Sequence, residues 1–358
     1  SNIDSLEHRG ILIGDLIVAS TVRSFLSNGP EWDNPKFIEV ANRCLRSAEM
    51  LISCYNEILD HVRPDKIVMS HGIYISWGIL FRLARKRGIA VDVYGSSYRK
   101  NTLRFYHNAP NAPFPAGEWD DYRLTPLVDN EMQIIDSYIE SRETQRDDNI
   151  SLFDDRNEVP DYLVEFLENH KEKKVFCLFT NIAWDAFAFA KGNNFASMNE
   201  WITETITFFN ERDDIALIIK SHPAEIYHKT PKKYRVSAIV QKIKLNSNII
   251  FVNEKANLKP FWIYERIDFG LIHLSTVAIE LAFKSIPVLT SGAESHYSHK
   301  GFTIDPESKD DYFEKLTGLA SGEFTFSTDI AAAKRYMYFR FFREPIEFDL
   351  LEMQDASN

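Results

Sequence analysis

The chain has 358 residues, of which 44% are hydrophobic, 13% aromatic and 26% charged. That is ordinary globular composition, with length enough for two cores. A formal net charge of −11 argues against the basic face that nucleic acid demands, though not against a local basic patch, so no nucleic-acid partner is expected. The three cysteines, Cys44, Cys54 and Cys177, form no C-x-x-C pair, which fits a reducing compartment and excludes a zinc knuckle. The longest apolar stretch, "VFCLFTNIAWDAFAFA", is interrupted by Asn181 and Asp185 and is too short to span a bilayer. No secretory signal opens the chain, so a cytoplasmic location is expected.

The elements alternate. Residues 34–62 place Phe37, Val40, Leu45, Ala48, Leu51 and Ile52 at helical spacing. "DKIVMSHG" is a short apolar strand ending at His71-Gly72; "ISWGILFRLARKRGI" follows as a helix closed by Gly88, and "AVDVYG" as the next strand. This is the β-α-β grammar of a parallel sheet. Residues 108–125 read as loop, and the polar stretch 141–160 as a linker or excursion.

The second half restarts the pattern. "KKVFCLFTN", "IALIIKSHP", "NIIFVN", "IDFGLIHLS" and "IPVLTSG" read as strands. "SMNEWITETITFFNERD", "VSAIVQKIKL" and "TVAIELAFKS" read as the intervening helices. The spacing predicts a doubly wound α/β domain. Four units follow: a first domain over 1–150, a linker over 151–170, a second domain over 171–330, and a C-terminal helix over 331–358. The first domain shows fewer clear strands than the second, as an irregular or incomplete domain would.

Ligands of open parallel sheets bind beyond the carboxyl ends of the strands. Four strands of the second half end in Thr180-Asn181, Lys220-Ser221-His222-Pro223, Ser275-Thr276 and Thr290-Ser291-Gly292. In "KSHPAE", Lys220 supplies a cation and His222 a hydrogen-bond donor, and Pro223 fixes the backbone beyond them; such a corner suits a phosphate. The plainer account is a turn capped by His222, with Lys220 snorkelling to solvent. Ser275 or Thr276 is placed to cap the next helix, whose first amides favour an anion. Glu280 lies one turn further in among Ile279, Leu281, Ala282 and Phe283, where a carboxylate needs hydroxyl or amide partners and ribose would serve. Its alternative is a solvated face. Asn181, Trp184 and Asp185 follow a strand directly and suit a sugar or base site, or else Trp184 is core and Asp185 a cap. "SGAESHYSHKGF", with Ser291, His296, Tyr297, His299 and Lys300, suits a mobile loop over a donor, or an ordinary solvated loop.

"IIKSHPAE" followed by "STVAIELAFKSIPVLTSG" resembles the capsule polysaccharide biosynthesis proteins. These are GT-B-type glycosyltransferases that include bacterial Kdo transferases; a similar His-Pro and Ser/Thr pairing occurs in bacterial sialyltransferases. The resemblance covers roughly 175–305 and extends more loosely into "HGIYISWGIL" and "GDLIVASTVR". It implies an α/β, GT-B-like fold: two Rossmann-like domains facing a cleft, with a C-terminal helix returning to the first. It also implies a nucleotide-sugar donor, with Lys220 and His222 meeting the phosphate, Ser275 and Thr276 the phosphate or nucleoside, and Glu280 the ribose. The acceptor implied is a growing capsule or lipopolysaccharide glycan.

An inverting transfer needs a general base from the first domain. Asp15 in "IGDLI" is the first candidate, expected to protrude at a strand end, and His71 the second; each has a structural alternative as a turn cap. Arg23, Tyr98, Arg99 and Lys100 are placed to help bind an anionic acceptor or a donor carboxylate. No D-x-D occurs in the sequence, which agrees with a mechanism needing no metal or other cofactor, and no P-loop motif occurs. The aromatic, basic "AAAKRYMYFRFFREPIEF" would pack on the first domain or rest on a membrane beside polysaccharide assembly proteins. Transfer of another nucleotide-activated group such as glycerol phosphate, a nucleotide-sugar epimerase and a non-catalytic GT-B-like partner subunit are the rival readings.

Overall fold

The computed structural model describes residues 3–111, 117–142, 157–184, 194–292, 294–295, 297–348 and 350. A short hairpin, β1 (Glu7–His8) with β2 (Ile11–Leu12), leads into helix α1 (Gly14–Phe25). Helix α2 (Pro35–Val62) begins at an N-cap, Asn34, whose side chain accepts the Lys36 amide, with Pro35 at its first position. Its buried stripe is Phe37, Ala41, Ala48, Ile52 and Leu59; of the positions read from the sequence, Phe37, Ala48 and Ile52 lie on it, while Val40, Leu45 and Leu51 flank it half-buried. Then come β3 (Lys66–Ser70), a π-helical turn (Tyr74–Gly78), α3 (Ile79–Lys86), β4 (Ala90–Ser96) and β5 (Thr102–His107). Helices α4 (Gly117–Tyr122) and α5 (Asp129–Arg142) close the first half.

Within the stretch read as a linker, α6 (Asp161–Asn169) is a helix that buries Leu163 and Phe166 in the second half's core. Strand β6 (Lys174–Phe179), α7 (Met198–Asn210), β7 (Ile215–Lys220), the short α8 (Ala224–Tyr227) and α9 (Val236–Val240) follow. After β8 (Ile249–Val252) come α10 (Pro260–Tyr264), β9 (Phe269–Ile272), α11 (Val277–Phe283) and β10 (Val288–Thr290). Helices α12 (Lys309–Ser321) and α13 (Ile330–Tyr338) precede a π-helical turn and β11 (Ile346–Glu347).

The second half is a five-stranded sheet of order β10-β9-β6-β7-β8, every pair parallel. Its strands are buried on both faces, as β6 and β7 show, because helices cover each side. The first half is a four-stranded sheet of order β11-β5-β4-β3, in which only β3 and β4 run parallel. The fold is therefore α/β and GT-B-like: a smaller first unit whose sheet is mixed, a doubly wound parallel second unit, and a C-terminal segment that returns to the first.

That return is a strand as well as a helix. Beyond α13, β11 pairs with β5, Ile346 opposite Leu103. Buried Arg104 and Arg340 share the Glu344 carboxylate, at 3.3 and 2.5 Å, and Arg104 also donates to the Arg340 carbonyl. Phe341 stacks on Tyr98 at 4.2 Å between centroids, and Tyr336 and Phe339 pack on Trp119. The aromatics that would have faced a membrane are spent on this core. Among the described residues, no helix is long and apolar enough to cross a membrane.

Candidate functional site

The five-stranded sheet reverses its winding at β6: the chain moves to β7 and β8 on one side, then crosses to β9 and β10 on the other. The carboxyl ends of β6, β7 and β9 thus meet at a topological switch point, where such sheets leave a crevice. Asn181 ties two of these ends together by accepting the Leu274 amide at 3.0 Å. Thr180 ties the third, its hydroxyl accepting the His222 amide at 3.2 Å.

The "KSHPAE" turn is braced from within. Buried Glu225 accepts from the Ser221 hydroxyl and the Val236 amide, both at 3.0 Å, and burial pushes its carboxyl up to about 7. Ser221 and Glu225 therefore shape the turn. His222 is half-buried above it, and its Nδ1 accepts the Ala224 amide at 3.1 Å. That bond places the ring proton on Nε2. Burial, with the charges of Lys220 and His228 adding to it, pulls the imidazole down to about 4. His222 is thus a neutral donor near neutral pH. Lys220 lies lower than a surface cation would: its Nζ is buried and donates to the Ser221 carbonyl at 3.1 Å. Burial lowers it to about 8, so it keeps a positive charge beneath the turn at neutral pH.

At the β9 end, Ser275 is buried and accepts the Val277 amide at 3.3 Å. Thr276 occupies the cap position of α11, but its side chain makes no capping bond. Helix α11 has only seven residues. Glu280 was expected to find ribose hydroxyls; its two oxygens are instead held by Arg142 and, at 2.5 Å, by the Tyr264 hydroxyl. It is buried in a network that includes α5 of the first half. Ser291 is buried and bonded to His273 at 2.7 Å, beneath the rim. Trp184 is core: it is 3% exposed and its indole donates to Thr230 at 3.0 Å. The loop expected to be mobile is packed, with Tyr297 and Phe302 fully buried and Lys300 donating to the Ser298 carbonyl at 3.0 Å. Burial lowers Lys300 to about 8. Asp185 and His296 lie outside the described residues.

On the first half, Asp15 sits in the first turn of α1 and not at a strand end, because the hairpin turns straight into the helix. Arg82 clasps it through two bonds, at 2.7 and 2.6 Å. His71 follows β3 directly, at φ 62°, with Gly72 and Tyr74 also at positive φ. The two non-glycine residues among them, His71 and Tyr74, hold backbone strain before a π-helical turn, of the kind that collects at functional sites. The His71 ring stacks on Trp77 at 5.0 Å, and Nδ1 pairs with the Ser70 hydroxyl. Partial burial, and then the charge of Arg23, hold it below the usual histidine range.

Arg23 joins the two halves. Its guanidinium carbon lies 4.0 Å from the Trp184 ring centroid, and its charge disfavours protonation of both His71 and His228. A second join, between Tyr98 and Tyr297, spans 3.2 Å between hydroxyls. The carboxyl end of β3 therefore approaches the β6–β7 end of the other sheet around Arg23, Lys220 and three imidazoles: His71, His222 and His228. Sequence spacing does not reveal His228, which reaches Trp184 only because α8 turns the chain back.

No protein-family model matches the chain, and no curated protein matches it. Among solved structures it is similar to the β-Kdo 2,4 transferase of Thermosulfurimonas dismutans KpsC, at 10% identity over 78% of this chain and 79% of that one, TM-score 0.48. The β-Kdo 2,7 transferase of the same KpsC gives 12% identity, 83% of each chain and 0.46. A UDP co-structure of S. aureus MnaA gives 13% identity, 91% and 92% coverage and 0.36. Likeness this distant decides nothing about chemistry.

Proposed function

We propose that the chain is a GT-B-type glycosyltransferase that moves a sugar from a nucleotide-sugar donor to a capsule or lipopolysaccharide glycan, in the cytoplasm and without a metal. The observation that carries this reading is His222, a neutral imidazole with its proton fixed on Nε2 at the switch point of a parallel sheet. The Nε2–H donates to the leaving phosphate, with the Ser275 and Thr276 hydroxyls beside it and the Lys220 charge below. His71 serves as the base and stands ahead of Asp15: its imidazole stays neutral near pH 7, whereas the Asp15 carboxylate is already committed to Arg82. In that role Nδ1–H donates to the Ser70 hydroxyl, and Nε2 takes the acceptor's proton as its oxygen attacks the anomeric carbon. Glu280 serves in this reading to hold Arg142 and the Tyr264 hydroxyl, each bonded to one of its oxygens, rather than to bind ribose.

The test is calorimetric titration with UDP, GDP, CDP and CMP, repeated on His222→Ala. One nucleotide should bind, and the substitution should weaken it about tenfold, the worth of one charge-assisted hydrogen bond. Failure of all four to bind, or binding indifferent to His222, removes the reading.

A further inference from the structure

The turn between β4 and β5 borders a cavity of about 490 Å³ that none of the donor-side residues lines. Arg99 and Lys100 form one wall, at the carboxyl end of β4, which runs parallel to β3. The opposite wall is the polar face of α5: Asn130, Gln133 and Ser137 stand at positions i, i+3 and i+7 and so share one side of the helix. Phe342 and Tyr138 supply aromatic surface between the walls.

The Arg99 fork is held in place. Its Nε–H donates to the Phe341 carbonyl at 2.7 Å, and its guanidinium carbon lies 4.3 Å from the Phe342 ring centroid. Neither Nη has a partner among the described residues. A guanidinium ordered by stacking and by one backbone bond, with both Nη groups to spare, is prepared for a carboxylate. Two amides and a hydroxyl across the cavity offer both donors and acceptors, the pattern that matches vicinal sugar hydroxyls. An aromatic wall suits the apolar face of a pyranose, and the volume lies within the usual range for small-molecule sites.

We infer that this cavity binds an acidic saccharide, with its carboxylate on Arg99 and Lys100 and its hydroxyls on Asn130, Gln133 and Ser137. It deepens the proposed function by naming the acceptor's chemistry, and it rests on that reading for its purpose but not for the binding itself. The rim position at the end of β4 puts such a glycan on the His71 side of the molecule.

The experiment is calorimetric titration of the whole chain with a uronic-acid-containing tetrasaccharide, with its carboxyl-reduced neutral counterpart, and with inorganic phosphate. The acidic form should bind about tenfold more tightly than the reduced form, the value of one lost charged pair. Arg99→Ala should abolish that difference. Gln133→Ala, on an exposed helix face that the fold does not need, should weaken both saccharides alike. Absence of binding, equal binding of the neutral form, indifference to both substitutions, or phosphate binding as tightly as the acidic saccharide would each overturn the inference. The nucleotide titration on the same samples separates the two readings. Nucleotide binding without saccharide binding ends this inference alone, and the reverse ends the glycosyltransferase reading and keeps this one.

Discussion

Arg23 stacks on Trp184 at 4.0 Å, and this one contact carries a charge from α1 of the first half onto the segment that follows β6 in the second. A cation over an indole is worth about 1–2 kcal/mol and fixes the relative placement of the groups that flank it. Arg23→Ala should cut sugar transfer about tenfold while nucleotide affinity stays within about twofold, since no strand-end donor is touched. Steady-state kinetics beside calorimetry reads both. A loss confined to nucleotide affinity would place Arg23 in the donor site instead.

Lys220 gives nucleotide binding a pH dependence of definite sign. Burial lowers the ammonium to about 8, so it is charged below that pH and neutral above. Affinity for an anionic nucleotide should therefore fall as pH rises through about 8 and beyond. A bound phosphate raises the midpoint by favouring the charged form. Lys220→Met should flatten the profile between pH 7 and 10. His222, lowered to about 4, contributes no step near pH 6.5. The terminal phosphate of the nucleotide itself titrates at about pH 6, so the deciding comparison is His222→Ala: a step at about pH 6.5 that this substitution removes would contradict the assignment.

Glu280 behaves as a structural group in this arrangement. Removing its charge leaves Arg142 and the Tyr264 hydroxyl facing each other in a buried space. Glu280→Ala should cost about 3–5 kcal/mol of stability, and Arg142→Met in the same chain should recover part of it. Chemical denaturation of both variants decides this. An unchanged midpoint for Glu280→Ala, with lost nucleotide affinity, would return the residue to the ribose.

His273 makes stability fall in acid. It is 2% exposed, stacks on Trp201, and burial pulls it down to about 4. Between roughly pH 6.5 and 4 the unfolded chain takes up a proton that the folded one refuses, so stability drops as pH falls through that window. The full effect is about 3 kcal/mol for this group. Glu225, raised to about 7, contributes the opposite slope between about 4.5 and 7, so the comparison must be made against His273→Gln. The stability difference between wild type and variant should shrink steadily towards pH 4; a constant difference would show that His273 does not titrate this way.

The second sheet was legible because burial on both faces writes itself as continuous apolar runs, as in "VFCLF" and "IALII", closed by polar residues. The switch-point ends could be read for the same reason. Strand β5, "TLRFYH", could not: its inward positions are Thr102, Arg104 and Tyr106, and Phe105 faces out, so the usual alternation is inverted. The sense of that inversion comes from Glu344 and Arg340, which satisfy Arg104 from across the fold. The setting of Glu280 is legible only in part. A buried acid was recognised, but its partners Arg142 and Tyr264 lie on other helices, and local spacing is silent about them. "ILI" resembles a strand and so suggests a strand end for Asp15, but only Ile11 and Leu12 are strand before α1 begins.

Arg104 hydrogen-bonds a carbonyl 236 positions further along the chain, and β11 pairs with β5 over a similar separation. On the ribosome, the first sheet must wait with an open edge while everything between is synthesised, whereas the second sheet completes itself from contiguous sequence. The half that begins first therefore finishes last. A chain released before β11 presents β5 as an unpaired edge, the feature that invites association with another copy.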